Sequence, residues 1–204
     1  MRQLNKEELQ ITGLVHHFVS EIVEPGDICI DATAGRGNDT LFLCQLTGAR
    51  GEVMAFDIQK EALEDTARLL ADNGCMAELV LDSHENMLDY MQKGSAACIM
   101  FNFGYLPGGD HNICTRAKSS IAAIKAGLEI LKKGGLMTLC IYSGKDSGFE
   151  EKDEILAFLK QLDQKQYLVI TSEYYNRSNN PPMPVFIRKL EGKDSSCICG
   201  FGLL

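Results

Sequence analysis

The chemistry-bearing residues of this chain fall in short clusters, each at the end of an apolar run. The first is "DATAGRGNDT", Asp31 to Thr40. Gly35 and Gly37 allow a tight turn and a close approach of backbone to a ligand, and N–H groups at a helix start favour electronegative groups. Asp31, Arg36 and Asn38 stand in the same stretch. The fingerprint G-x-G-x-x-G is incomplete, because Thr40 occupies the third glycine position. Asp57 then closes the run "GEVMAFDI" about twenty residues later, where a carboxylate can accept both hydroxyls of a ribose. The alternative is an N-cap for a helix starting near Gln59. Together the glycine turn and Asp57 favour a nucleoside-type cofactor.

Three further clusters extend the pattern. "LDSHENM" places Asp82, Ser83 and His84 where an adenine edge would lie, although Ser83 with Glu85 or Asn86 also reads as a helix start. His84 reads as a general base, a simple contact or a surface histidine. In "FNFGYLPGGDH", Asn102 offers an acceptor and two donors, Tyr105 a wall or hydroxyl, and Asp110 a carboxylate. A turn built on Pro107, Gly108 and Gly109 is the plainer reading, and it leaves this combination of side chains unexplained. "YSGKDSG" adds Tyr142, Ser143 and Lys145. "NNPPMP", Asn179 to Pro184, is similar to the Asn-Pro-Pro-aromatic signature of amino-group methylases, but it lacks the aromatic. It reads as a rigid loop walling a pocket.

These clusters need a scaffold that brings strand ends together. The periodicity predicts an N-terminal helix within residues 4–23, then alternating strands and helices. Gly48 is placed to end the second helix and Asn73-Gly74 the third. A long helix through "RAKSSIAAIKAGLEILKKGG" is expected to stop at the Gly-Gly pair, and "HENMLDYM" to form a short helix. The expected fold class is α/β, a doubly wound Rossmann-like arrangement. Its seven-stranded, mostly parallel sheet has helices on both faces and an antiparallel last strand paired as a hairpin at the sheet edge. Residues 1–190 read as one domain, with residues 1–24 as a helix packing on it and 191–204 as a tail without an assigned role. In such a sheet ligands bind beyond the carboxyl ends of the strands, which is where every cluster falls.

Composition narrows the partners. With 204 residues, 45% hydrophobic and 24% charged, the chain is an ordinary soluble type. No apolar run reaches the roughly 20 residues of a membrane helix, and "MRQLNKEELQ" has no signal-like apolar region. A net charge of −8 disfavours indiscriminate nucleic-acid binding. Arg36, Arg116, Lys118, Lys145, Arg177, Arg188 and Lys189 could still form a local basic rim, or be scattered solvated charges. Of eight cysteines, Cys29, Cys98 and Cys140 sit in apolar runs as small hydrophobes, and Cys197 and Cys199 form a C-x-C without a second pair. Reduced thiols in the cytoplasm and no metal site are expected.

Taken in order, "DATAGRGNDT", "FDIQ", Ser83-His84, "FNFGYLPGGDH" and "NNPP" resemble the MnmM (YtqB) family, long labelled rRNA methylases, over roughly Leu14 to Leu190. The resemblance implies a class I methyltransferase fold and S-adenosyl-L-methionine as cofactor. The implied activity is methylation of the amino group of 5-aminomethyl-2-thiouridine at the tRNA wobble position, with the anticodon region of tRNA as partner and room for a homodimer. It implies cofactor contacts by Asp31, Arg36, Asn38, Asp57, Gln59, Ser83, His84 and Asn102, with Gly35 and Gly37 beneath the methionine part. Asn102, Tyr105, Asp110, Tyr142 and the Asn179–Pro182 loop would face the uridine. The chain departs from the pattern at Arg36, where asparagine is common, and at Lys145, where histidine is. Three other readings stay open: methylation of a ribosomal RNA base, a nicotinamide-dependent oxidoreductase on the same sheet, and an RNA-binding module without turnover.

Overall fold

Strands form where short apolar runs must be buried on both faces, and a parallel sheet is the arrangement that covers both. The computed structural model describes residues 10–103, 117–142, 147–177 and 181–191. Its helices are α1 (Ile11–Ser20), α2 (Asn38–Thr47), α3 (Lys60–Asp72), α4 (Ala117–Ile130) and α5 (Ser147–Leu159). Its strands are β1 (Ile28–Asp31), β2 (Glu52–Asp57), β3 (Glu78–Leu81), β4 (Ala96–Phe103), β5 (Leu131–Ile141), β6 (Tyr167–Thr171) and β7 (Met183–Lys189). The strand order is β3-β2-β1-β4-β5-β7-β6. Neighbours are parallel except β7, which runs antiparallel to both β5 and β6. The order reverses between β1 and β4, so the topological switch lies at their carboxyl ends.

The expected hairpin of the last two strands is present, with one refinement. The final strand inserts beside β5 and leaves β6 at the edge. Val185, Phe186 and Ile187 are buried, whereas Leu168 and Ile170 of β6 are exposed, so the more apolar strand takes the interior place.

Side-chain alternation divides the core in two. Ile99, Phe101 and Phe103 of β4 join Ile30, Met137 and Leu139 under α4 and α5. Cys98 and Met100 point the other way, against Val15 and Val19 of α1 and Leu43 of α2. Asn102 continues the second set, so the fold aims it toward α1 and α2. The cysteines expected in strands are buried here as small hydrophobes: Cys29, Cys98 and Cys140.

Two helix ends follow expectation and one does not. Gly48 (φ 65°) ends α2 and Gly74 (φ 64°) follows α3, both in the left-handed region that glycine enters without strain. The short helix expected at "HENMLDYM" is a 3₁₀ helix, His84–Asp89. The long helix stops at Ile130, before the Gly-Gly pair. The Lys189 ammonium donates to the carbonyls of Leu128 and Leu131 at 2.8 and 2.7 Å, satisfying groups that a helix end leaves open. Gly134 and Gly135 instead serve a bulge in which β5 places four residues between Leu131 and Leu136, the partners of Ala96 and Cys98. A Cβ on Gly135 would lie 2.9 Å from the Lys132 carbonyl oxygen.

Gly37 (φ 81°) precedes α2, and a Cβ there would stand 2.9 Å from the Cα of Thr66 in α3. Gly37→Ala is therefore expected to cost about 2 kcal/mol, combining left-handed strain with a backbone clash. Urea denaturation followed by circular dichroism measures it; an unchanged midpoint would show that the turn has room to relax.

Candidate active site

The junction of β1 and β4 carries the candidate site. The Ala32 N–H donates to the Met100 carbonyl at 2.8 Å, and the Asn102 N–H donates to Thr33 Oγ1 at 2.7 Å. Two strand tips are thereby fixed against each other, one leading into the glycine turn and one ending in Asn102.

Asp31, at the end of β1, is fully buried. Its carboxylate accepts from Thr40 Oγ1 at 2.6 Å and from the Thr33 N–H at 3.1 Å. Thr40, read as the missing third glycine, thus holds the first acid of the motif. Burial, and secondarily the nearby Asp39 charge, push Asp31 up to about 7, against the two hydrogen bonds. In the turn, the Ala34 N–H donates to the Phe56 carbonyl and the Gly35 N–H to Asp57 Oδ2 at 2.9 Å. Asp57 Oδ1 accepts the Gln59 N–H at 2.9 Å. Gln59 is the N-cap residue of α3, with no side-chain cap bond, so Asp57 ties the turn to β2 and does not cap the helix. Each of its oxygens keeps acceptor capacity for a ribose hydroxyl. Ile58, next along, is 58% exposed, an apolar surface suited to the face of an adenine. Arg36 and Asn38 are exposed on the same rim.

The third tip is more structural than expected. Ser83 Oγ accepts from the Glu85 N–H, which makes it the cap of the 3₁₀ helix. Asp82 is occupied by the Ser83 N–H, Asn86 and the Tyr90 hydroxyl, and these bonds hold its carboxyl below the usual range. His84 is not a surface histidine. Its ring meets the edges of Phe101 and Phe103 at 5.9 and 6.0 Å, and its Nε2 is enclosed with no partner among the described residues. Burial lowers its pKa, opposed by a hydrogen bond with the Ala32 backbone. A neutral wedge beneath the β1 loop fits these facts better than a base.

Asn102 and Tyr142 fall on one face at adjoining strand ends. Asn102 pairs in register with Cys140, and Tyr142 follows two residues later on the same face, its N–H donating to the Phe103 carbonyl at 3.2 Å. Burial raises the pKa of the Tyr142 phenol, so it stays a hydroxyl donor, although the side chain is partly exposed. Pro181 and Pro182 lead into β7, whose Met183 pairs with Ile141, which brings the end of the Asn-Pro-Pro loop to the same edge. Tyr105, Asp110, Ser143, Lys145 and Asn179 lie outside the described residues, as do Arg116, Cys197 and Cys199.

Three site residues escape a reading by motif. Thr33 anchors β4. Asp39, in the first turn of α2, accepts from Asn102 Nδ2 at 2.8 Å and pairs with His16 Nε2 at 2.6 Å. His16, from α1, stacks on Phe42 with ring centroids 3.7 Å apart. In sequence Asp39 looks like an ordinary acid at a helix start and His16 like one residue of a His-His pair; only the fold joins them.

The basic residues divide. Arg36, Lys118 at the start of α4 and Arg177 after β6 lie toward the carboxyl edge. Arg188 and Lys189 end β7 at the opposite edge, and Lys189 is engaged with the end of α4. Of the two readings left open, one shared rim or scattered charges, the described residues give a division, three toward one edge and two at the other, because β7 runs against the other strands. Among the described residues no cluster of His, Cys, Asp and Glu could hold a metal, and no helix is long and apolar enough to cross a membrane.

Asp31 also sets a pH dependence. A raised pKa means the folded protein keeps a proton that the unfolded chain has already released. Its contribution is full below the ordinary carboxylate range and is lost as pH rises through about 7. Melting temperatures of cofactor-free protein from about pH 4.5 to about pH 8 should fall more steeply for the wild type than for Asp31→Asn. Parallel curves would contradict this.

A family described as "Putative rRNA methylase" matches residues 53–188. The chloroplastic tRNA (mnm(5)s(2)U34)-methyltransferase of Arabidopsis thaliana is 34% identical over 192 residues, covering 88% of this chain and 69% of that protein. A "putative rRNA-methylase" of Clostridium thermocellum superposes with a TM-score of 0.87 at 40% identity, over 93% of this chain and all of that one. A "putative methyltransferase" of Streptococcus mutans, solved in complex with SAH, gives 0.80 at 36% identity with the same coverage. Its demethylated cofactor accords with the glycine turn and ribose-ready carboxylate described above. The chain therefore belongs to the rRNA methylase family and is a methyltransferase that uses S-adenosyl-L-methionine.

Proposed function

We propose that this enzyme methylates the primary amine of 5-aminomethyl-2-thiouridine at the wobble position of tRNA, engaging the anticodon region. The observation that carries the reading is the placement of Asn102 and Tyr142 on one face at the adjoining ends of β4 and β5, beside the glycine turn to which Thr33 ties Asn102. The relative from Arabidopsis, named for that nucleoside, supports the choice of substrate. S-Adenosyl-L-methionine, when bound, supplies a methyl group on a sulfonium, an electrophile that needs no further activation. The chain must hold a neutral amine in line, which is a positioning task. Asn102 and Tyr142 offer it hydrogen bonds at the edge of a largely apolar wall. The amine nitrogen bonds to the methyl carbon while the carbon–sulfur pair stays on sulfur, and the secondary ammonium product releases one proton to water. Within this reading Asp57, Gln59 and Asn38 hold the adenosyl and methionine parts, and Tyr105, Asp110 and Lys145 border the nucleotide. Arg36, Lys118 and Arg177 meet phosphates. A cytoplasmic setting and a homodimer belong to the same proposal, the latter supported by Leu168 and Ile170 exposed on edge strand β6.

The test is nucleoside mass spectrometry after incubation with labelled cofactor and tRNA carrying the aminomethyl group. Label is expected in methylaminomethyl-2-thiouridine; label found only in ribosomal RNA bases would favour the other RNA reading and overturn this one. Asn102→Ala is expected to retain cofactor binding by calorimetry and to slow transfer more than tenfold. Unchanged turnover would remove Asn102 from the site.

A further inference from the structure

We propose that Asp39 is a positioning residue that fixes which end of the Asn102 amide meets the methyl acceptor, and so selects a nucleophile that carries hydrogen. An ionised carboxylate only accepts hydrogen bonds. The contact of 2.8 Å between Asn102 Nδ2 and Asp39 Oδ2 therefore turns the amide NH₂ toward α2 and leaves the carbonyl Oδ1 facing away. Among the described residues no donor meets that oxygen. Asp39 is itself held from a second side, because His16 Nε2 lies 2.6 Å from its other oxygen and must be the protonated nitrogen of the ring. The His16 ring is in turn stacked on Phe42, four degrees from parallel. The Asp39 side chain is only 11% exposed, so water competes weakly for either contact. The Asn102 backbone is pinned by Thr33, so the side chain has little freedom apart from the amide flip that Asp39 forbids.

The orientation has a chemical consequence. A carbonyl oxygen accepts an N–H from the incoming amine and leaves its lone pair free to reach the methyl carbon. The flipped amide would donate an N–H into that lone pair and compete with the transfer. An acceptor at this place thus favours an amine over a ring nitrogen without hydrogen.

The kinetic arm of the test rests on the amine substrate proposed above, and the spectroscopic arm does not. In ¹⁵N-asparagine-labelled protein without ligands, the Asn102 side-chain resonance, assigned by its loss in Asn102→Ala, should show one slowly exchanging proton. In Asp39→Ala that protection should drop at least tenfold. With aminomethyl tRNA, Asp39→Ala should lower kcat at least tenfold, with KM for tRNA and Kd for the cofactor within threefold of wild type. Asn102→Asp sets two carboxylates against each other and should be at least as impaired. Adding Asp39→Asn to it reverses the hydrogen bond, since residue 39 can then donate to residue 102 while still accepting from His16. That pair should recover at least tenfold over Asn102→Asp, even if Asp39→Ala fails to fold. Unprotected Asn102 protons in the wild type, or no recovery in the reversed pair, would overturn the proposal. Absence of tRNA methylation by wild type with protected Asn102 protons would instead overturn the substrate reading alone.

Discussion

Two hydrogen bonds between neighbouring strand tips, Ala32 to Met100 and Asn102 to Thr33, set the geometry on which the rest of the site depends. They occur where β1 and β4 run side by side although two strands separate them in sequence, so the helices that follow them diverge and leave an opening. Residues on either side inherit their positions from that junction. Asp31 is buried beneath it, and the glycine turn leaves along β2. Asn102 is carried by strand alternation toward α2. Parallel pairing places all of these at one edge.

Much of this was legible in the sequence, and for a physical reason. A strand buried on both faces must be apolar throughout, so a polar residue at its end stands out. Asp31, Asp57 and Asn102 were visible in this way, and the alternation of strands with amphipathic helices gave the parallel sheet. The interior of each element was therefore easier to read than its boundary. α4 showed the limit: a Gly-Gly pair resembles a helix stop, yet the carbonyls at this end are met by a lysine 58 residues away. Sequence periodicity carries no sign of such a partner.

The same limit explains the site residues that were missed. His16 and Asp39 become partners only because α1 lies on the face of the sheet that α2 also covers, a consequence of core packing through Val15, Val19 and Leu43. Roles shifted for a related reason. His84 and Ser83 sit at the expected strand tip, but the tip must first satisfy its own backbone and fill space beside Phe101 and Phe103. Arg188 and Lys189 were set apart from the other basic residues by strand direction alone.

The acidic lining has a consequence for turnover. Asp31 feels the charges of both Asp39 and Asp57, so three acids crowd the carboxyl ends of β1 and β2, the buried one keeping its proton up to about pH 7. The cofactor carries one net positive charge, on its sulfonium, and the thioether left after transfer carries none, so an acidic surrounding favours the methyl-bearing form.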